Sequence, residues 1–189
     1  MIYKALFLDR DGVINHDRGY VYRSEDFDFI EGIFDIARCA YNENYKLVVI
    51  TNQAGIGRGY YTEADFHKLT DWMCDQFLEA GAPIDKVYFS PYHPDAGIGD
   101  YLKDDYSRKP HPGMILQAQE ELEIDLNCSV LIGDKISDIQ AGEAAGVGTN
   151  LLFSPDSKPG ASDLNYQHCS SLTEALALIK NMAQQRDTQ

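Results

Sequence analysis

The sequence has few cysteines and no long hydrophobic run. Its longest apolar stretches have the length of a β-strand, far short of the ~20 apolar residues that a membrane helix needs. The N-terminus leads directly into a predicted strand and lacks the apolar region of a secretory signal. We therefore expect a cytoplasmic protein that does not enter a membrane. The cysteines lack the Cys-x-x-Cys spacing, so neither a disulfide framework nor a clustered zinc site is indicated; they are Cys39, Cys74, Cys128 and Cys169.

Positive charge is also scarce. The 189 residues include 16 Lys and Arg against 30 Asp and Glu, a formal net charge of -14. This balance argues against nucleic acid or an anionic membrane as a partner, because both reward basic surfaces. An anionic substrate would have to find its positive charge locally. The length suits a single domain over residues 1–189, and we expect the polar tail 184–189 to be frayed.

Two aspartates follow the first predicted strand, an apolar run over residues 4–8. Side chains two positions apart in a strand point to the same side, so Asp9 and Asp11 can face one small space. Gly12 then lets the backbone turn away without a Cβ clash. Carboxylates crowded in this way repel each other. They are tolerated if a divalent cation lies between them, or if one of them holds a proton.

Strands and helices alternate along the rest of the chain. The patterns predict further strands over 46–50, 84–89, 129–132 and 146–152, and helices over 32–44, 62–80, 113–122 and 172–182. Loops are predicted over 15–29, 90–112 and 154–167. This alternation predicts an α/β fold, a Rossmann-like parallel sheet with helices on both faces, whose ligands bind beyond the carboxyl ends of the strands.

Polar side chains lie at the end of three predicted strands. Because such strand ends share one crevice, we expect these residues to converge there, together with two cations at the end of loop 90–112. The convergent set is Asp9 and Asp11, Thr51 and Asn52, Asp134 and Asp138, and Arg108 and Lys109.

This set has the chemistry of phosphoryl transfer. Several carboxylates form a hard oxygen site suited to Mg²⁺, while Lys109 and Thr51 can contact phosphate oxygens. Asp9 would attack phosphorus and form an aspartyl-phosphate. Asp11 would protonate the departing alkoxide and afterwards deprotonate the attacking water.

The motifs resemble those of the haloacid dehalogenase-like (HAD-like) phosphohydrolases. The matching residues, within positions 4–152, are Asp9-Arg10-Asp11-Gly12, Thr51-Asn52, Lys109 and Gly133-Asp134-Lys135-x-x-Asp138. The resemblance implies that Asp9 is the nucleophile and Asp11 the general acid and base. It also implies roles for the other motif residues: Mg²⁺ on Asp9, the Asp11 carbonyl and Asp134, phosphate on Thr51 and Lys109, and support from Lys135 and Asp138.

A closer likeness is to the heptose bisphosphate phosphatase branch of this family. It is carried by Asp9-Arg10-Asp11-Gly12-Val13-Ile14-Asn15, Thr51-Asn52-Gln53-Ala54-Gly55-Ile56-Gly57-Arg58-Gly59 and Arg108-Lys109-Pro110-His111-Pro112-Gly113-Met114. The likeness implies removal of the C7 phosphate of D-glycero-D-manno-heptose 1,7-bisphosphate on the route to lipopolysaccharide core. Arg108 would recognise the remaining phosphate or the sugar. The short motif spacing leaves no room for a separate cap domain, so the loops would frame the substrate, and we expect a monomer.

The sequence departs from this branch at a zinc site that its members commonly carry in the long loop. The matching positions hold Ser90, Tyr92, Asp105 and Ser107. His93 and His111 remain, but two histidines without thiolates are a weak zinc signal. We therefore expect Mg²⁺ and no structural zinc.

Several residues keep a second interpretation. Asp134 could be only the N-cap of the next helix, Asp138 only a favourable first-turn charge, and Thr51 only the end of a strand. Arg58 could be a substrate contact or a solvated loop cation, and Gln53 a substrate contact or a packing residue.

Two other functions also stay open. The motifs also resemble the histidinol-phosphatase branch, so the substrate could be histidinol phosphate or another small phosphomonoester. A non-catalytic phosphosugar-binding module with the same fold is the third hypothesis, which the intact Asp9, Asp11, Lys109 and Asp134 oppose.

Overall fold

The chain is organised around one parallel sheet. The computed structural model describes residues 2–155 and 163–186, with the backbone alone for residues 182–186. Within them the sheet has the strand order β3-β2-β1-β4-β5-β6, and every neighbouring pair is parallel. The strands are β1 Lys4–Leu8, β2 Tyr45–Asn52, β3 Lys86–Ser90, β4 Val130–Gly133, β5 Thr149–Phe153 and β6 Gln167–Cys169. The helices are α1 Ile33–Asn42, α2 Ala54–Gly57, α3 Glu63–Glu79, α4 Gly113–Leu122, α5 Ile136–Ala145 and α6 Leu172–Arg186.

Hydrophobic residues cover the sheet on both faces. In β1, Leu6 and Leu8 belong to the core under α1, α3 and α6, whereas Ala5 and Phe7 belong to the core under α4 and α5. Successive strand residues point to opposite faces, so an unbroken apolar run is what a strand buried on both faces requires. The structure confirms the predicted α/β sheet with helices on both faces.

The central position of β1 determines where the site forms. This strand pairs with β2 on one side and β4 on the other. The strands are parallel, so the carboxyl ends of β1, β2 and β4 lie side by side at one edge. The predicted aspartates follow the ends of β1 and β4, and the predicted threonine and asparagine are the last two residues of β2.

Several elements differ in extent from the prediction. Strand β6 was predicted as loop; it has only three residues, and its pairing with β5, Leu151 with Gln167, is a long-range contact that no local pattern announces. The rest of that predicted loop includes residues 156–162, which lie outside the described residues. Strand β5 begins three residues later than predicted, because Gly146 (φ +85°) is the C-cap of α5. Strand β2 continues through Asn52.

The C-terminal helix is longer than predicted. Its backbone is helical through Arg186, and the fraying expected for the tail 184–189 stays a prediction. The segment contains no Gly or Pro that would end a helix. Residues 187–189 lie outside the described part of the chain. Among the described residues, no helix combines the length and apolarity needed to cross a membrane.

Candidate active site

A buried lysine lies between two buried carboxylates at the edge of the sheet. Lys109 Nζ is 2.8 Å from Asp9 Oδ1 and 2.8 Å from Asp138 Oδ1, and it donates a third bond to the Ile50 carbonyl at 3.0 Å. Burial alone would lower the pKa of Lys109, but Asp138 and Asp9 raise it above its usual value. The ammonium therefore stays charged, and all three of its protons have acceptors.

The acidic groups at this edge outnumber the cations that neutralise them. Burial raises the pKa of Asp9 to about 8; Lys109 opposes this shift, whereas Asp138 and Asp134 add to it. Burial also raises the pKa of Asp134, with Lys135 opposing and Asp138 adding. Carboxylates in this state are stabilised by further positive charge.

The carboxylate oxygens fit a divalent cation. One oxygen each from Asp9, Asp134 and Asp138 lies within 4.8 Å of the others. Asp134 Oδ1 is buried and has no hydrogen-bond partner, which is unusual for a carboxylate unless a ligand is missing. Asp138 is already engaged, since it binds Lys109 and accepts from the Lys135 amide at 2.9 Å. Asp9 and Asp134 are therefore the side chains best placed to hold a metal ion.

Gly12 makes room for this arrangement. A Cβ at this position would lie 2.2 Å from Asp134 Oδ2, and the backbone φ is +98°. Because of this close contact and this positive φ, any residue with a side chain would be strained at position 12. The N-cap of α5 is Lys135. Asp134 is therefore not the N-cap, and the alternative interpretation of this residue is wrong.

The Asp11 carboxylate is held by three donors. Arg10 Nη2 contacts both its oxygens at 2.9 and 2.8 Å, Asn15 Nδ2 donates at 3.1 Å, and Gln53 Nε2 donates at 3.0 Å. Arg10 is 2% exposed and also donates to the Val21 carbonyl, so it joins Asp11 to the loop that follows β1. Arg10 and Asn15 were not predicted as site residues, although both belong to the motif around Asp11.

Gln53 has a positioning role at this site. Its amide also donates to Thr51 Oγ1 at 2.9 Å, and its Oε1 accepts from the Tyr61 hydroxyl at 2.5 Å. Asn52 contacts the backbone of Lys109 twice, at 3.0 and 3.1 Å. Gln53 and Asn52 therefore orient Asp11 and Lys109.

An open cleft of about 590 Å³ lies above these groups. Lys135 lines this cleft, with Nζ 3.2 Å from Asp17 and 3.5 Å from Asp134. Asp17 was not predicted; it lies in the loop after β1, where no motif marks it. The predicted residues in the cleft wall are Asp9, Asp11, Thr51, Asn52, Gln53, Arg108, Lys109, Lys135 and Asp138.

The two predicted arginines lie near one another, but only Arg108 lines the cleft. Arg108 lines the cleft and donates to the Tyr92 carbonyl at 3.0 Å. Burial and the charge of Arg58 lower the pKa of Arg108. Arg58 is not among the residues that line the cleft; its Nη2 lies 3.2 Å from His93 Nε2.

Polar contacts connect three of the four residues at the positions where the family resemblance implies zinc ligands in other members, namely Ser90, Asp105 and Ser107. Ser107 Oγ lies 3.0 Å from Ser90 Oγ and 2.6 Å from Asp105 Oδ1. Asp105 also pairs with Lys103 at 2.9 Å. Burial raises the pKa of Asp105, but Lys103 and Ser107 outweigh it and lower the value to about 2. The fourth residue, Tyr92, packs its ring under the Lys103 ammonium, 4.0 Å from the centroid.

Comparisons with known proteins agree with this geometry. A HAD-hydrolase-like family model matches residues 106–167. D-glycero-alpha-D-manno-heptose-1,7-bisphosphate 7-phosphatase of Burkholderia mallei is 60% identical over 150 residues, 79% of each chain. The D-glycero-beta-D-manno enzyme of Vibrio cholerae is 49% identical over 78% of this chain and 80% of its own. D,D-heptose 1,7-bisphosphate phosphatase of B. bronchiseptica, solved with magnesium and phosphate, is 25% identical with a TM-score of 0.78 and covers 94% of this chain and 98% of its own. The chain belongs to the HAD-like hydrolases, in the family of the heptose-1,7-bisphosphate 7-phosphatases.

Proposed function

We propose that this protein is a Mg²⁺-dependent phosphatase that removes the C7 phosphate of D-glycero-D-manno-heptose 1,7-bisphosphate, on the route to lipopolysaccharide core. One observation carries the proposal: the Asp9–Lys109–Asp138 cluster lies at the base of an open cleft, beside a buried and unpartnered oxygen of Asp134. The 60% identity with the Burkholderia mallei enzyme of that name supports the substrate.

Asp9 is the nucleophile in this proposal. Its Oδ1 accepts from the Arg10 amide at 2.8 Å and from Lys109, so the carboxylate orientation is fixed. The carboxylate forms a bond to phosphorus while the bond from phosphorus to the C7 oxygen breaks. Water then attacks the aspartyl-phosphate, which releases inorganic phosphate and restores Asp9.

Asp11 moves the protons of both steps. It lies in the cleft wall, where it would give a proton to the departing C7 oxygen and then take one from the attacking water. Arg10, Asn15 and Gln53 hold its carboxylate in place between these steps. Such positioning is what makes a general acid effective.

Lys109 and Thr51 are the proposed contacts of the transferred phosphate, and Lys135 adds charge in the cleft. Mg²⁺ would be held by the carboxylates of Asp9 and Asp134 and the Asp11 carbonyl, with Asp138 supporting. When bound, the ion would screen the carboxylates and phosphate from each other. Removing the excess negative charge would also lower the pKa of Asp9 and keep it nucleophilic.

Two arginines favour a bisphosphate over a substrate with one phosphate. Arg108 lines the cleft, and Arg58 is close enough to lower its pKa. Two such neighbouring cations suit a second phosphate group. Histidinol phosphate has only one phosphate. This phosphate must lie at Asp9 to react, so none is left for the two arginines. A non-catalytic module would have no use for a buried nucleophile with this set of donors.

The domain organisation, the oligomeric state and the location of the protein are inferred from its sequence. We infer a single domain over 1–189, without a separate cap and with loop 90–112 framing the substrate. The protein would act as a cytoplasmic monomer on a small sugar phosphate, without nucleic acid or membrane. The contacts that link Ser90, Asp105 and Ser107 support the inference that the loop needs no structural zinc.

Replacing Asp9 with Asn should abolish phosphate release, since the amide cannot form the acyl phosphate. We expect a loss of several orders of magnitude in kcat, measured by phosphate release from heptose 1,7-bisphosphate. The exposed Asp35, replaced with Asn, is the matched control. Circular dichroism should show both variants folded. Activity above a tenth of the wild-type rate in D9N would refute the nucleophile assignment.

Replacing Gly12 with Ala should weaken Mg²⁺ binding at least about tenfold, because the new methyl group displaces Asp134. Isothermal titration calorimetry with Mg²⁺ measures this directly. Gly19 is the control: its φ is also positive, +75°, but an added Cβ meets nothing within 4 Å. Equal Mg²⁺ affinities in G12A and G19A would contradict the proposed metal site.

Substrate choice is tested by phosphate release from heptose 1,7-bisphosphate, histidinol phosphate and glycerol phosphate, with and without Mg²⁺. We expect kcat/KM for the bisphosphate to exceed the others by at least about a hundredfold, because only this substrate engages the arginines. Chelation of Mg²⁺ should stop turnover. Similar rates on all three compounds would reject the specific substrate.

Metal analysis of the purified protein should find far less than one zinc per chain. A zinc-selective chelator should leave both the Mg²⁺-dependent rate and the thermal unfolding midpoint unchanged, because polar contacts fix the loop. Stoichiometric zinc, or unfolding of the loop on chelation, would show that the proposed zinc-free loop is wrong.

A further inference from the structure

The guanidinium groups of Arg58 and Arg108 have no carboxylate partner. In the described ranges 2–155 and 163–181, neither takes part in an ion pair, although the chain carries 30 acidic residues. Arg58 Nε is buried and has no hydrogen-bond partner. The nearby Asp104 contacts His111 at 3.2 Å instead. Three other arginines are paired: Arg10 with Asp11, Arg18 with Asp28, and Arg38 with Asp35.

His93 adds a third donor beside these arginines. Its Nδ1 faces the backbone amides of Asp95 and Ala96, both at 3.1 Å. Amides can only donate, so Nδ1 must carry the lone pair and Nε2 the proton. The Nε2 proton then faces Arg58 Nη2, another donor, at 3.2 Å.

The opposite tautomer does not resolve this conflict. A proton on Nδ1 would face two backbone donors instead of one side-chain donor, and a doubly protonated ring would face all three. Burial and the charges of Arg108 and Arg58 lower the pKa of His93, which favours the neutral ring. His93 Nε2–H and Arg58 Nη2–H are therefore two donors that face each other without an acceptor.

We propose that His93 is a specificity-determining residue. Its Nε2–H donates a hydrogen bond to the substrate phosphate that is not cleaved, and Arg58 and Arg108 donate to the same phosphate. The inference rests on the proposed function and names a contact that the sequence motifs do not assign. An oxyanion that lies beside both groups, within hydrogen-bond distance of His93 Nε2 and Arg58 Nη2, would accept one hydrogen bond from each. A phosphate has enough oxygens to accept from all three side chains.

The position of this group suits a substrate with two phosphates. Arg108 lines the cleft that holds Asp9, and Arg58 lies near the ring of Tyr20, another cleft residue, 5.8 Å from its centroid. Loop 90–112 thus supplies Lys109 to one phosphate and His93 to the other. Losing the His93 contact should weaken recognition of the second phosphate and leave the chemistry at the first unchanged.

Two substitutions at position 93 separate the ring nitrogens. In H93N the amide oxygen can replace Nδ1 as acceptor for the backbone amides, but nothing replaces the Nε2 donor. H93Q instead places an amide donor near the former Nε2. The matched control is H67N, at an exposed histidine on α3. Each protein is assayed with heptose 1,7-bisphosphate and with heptose 7-phosphate, which lacks the second phosphate.

We expect H93N to raise KM for the bisphosphate roughly tenfold or more, the worth of a hydrogen bond to a charged group. Its kcat, and both constants for heptose 7-phosphate, should stay within about twofold of wild type. H93Q should recover part of the loss, and H67N should behave as wild type. Equal losses on both substrates in H93N would show that His93 only supports the loop, and would overturn the proposal.

A binding measurement separates this inference from the proposed function. Long-range ¹⁵N–¹H spectra of the wild-type protein should show the His93 proton on Nε2, and a hexose 1-phosphate should shift this signal but not that of His67. An unchanged His93 signal overturns the inference even if the enzyme hydrolyses the bisphosphate. Absence of bisphosphate turnover would reject the proposed function, and the spectra would then decide the His93 contact alone.

Discussion

The ion pairs of Lys109 with Asp9 and Asp138 are the interaction on which the rest of the site depends. All three side chains are nearly inaccessible, at 2%, 7% and 2% exposure. A buried charge without a partner costs several kcal/mol, so removing Lys109 would leave two buried carboxylates without their cation. The three residues come from the end of β1, the loop before α4 and the first turn of α5. Their pairing therefore requires the whole sheet edge to be assembled.

This requirement explains why so many surrounding residues have a positioning role. Asn52 holds the backbone of Lys109, while Ser107, Asp105 and Lys103 connect the same loop to the end of β3. Side-chain hydrogen bonds of this kind are individually modest, but as a network they limit the loop to one arrangement. A polar network can therefore fix a loop without thiolate ligands.

Charge at the sheet edge is distributed unequally, and this inequality has a chemical use. On one side, Asp9 and Asp134 have raised pKa values and are short of positive charge, so that side favours a cation. On the other side, Arg58 and Arg108 have no acidic partner among the residues that the structure describes, so that side favours an anion. A phosphate ester bound with a metal ion satisfies both sides at once. Because the whole chain has a net charge of -14, two neighbouring arginines without an acidic partner in the described structure are an informative exception.

The sequence by itself determined the order of the elements, the α/β class, and the strand ends at which Asp9, Asp11, Thr51 and Asp134 lie. These features follow from local patterns, since apolar runs mark buried strands and parallel strand ends must share one edge. Only the tertiary structure decided that β6 pairs with β5, that Arg10 and Gln53 hold Asp11, and that His93 faces Arg58. Each of these contacts joins groups that are brought together only when the backbone is folded. Spacing along the chain does not specify such contacts, because a long side chain can reach several neighbours and packing selects one of them.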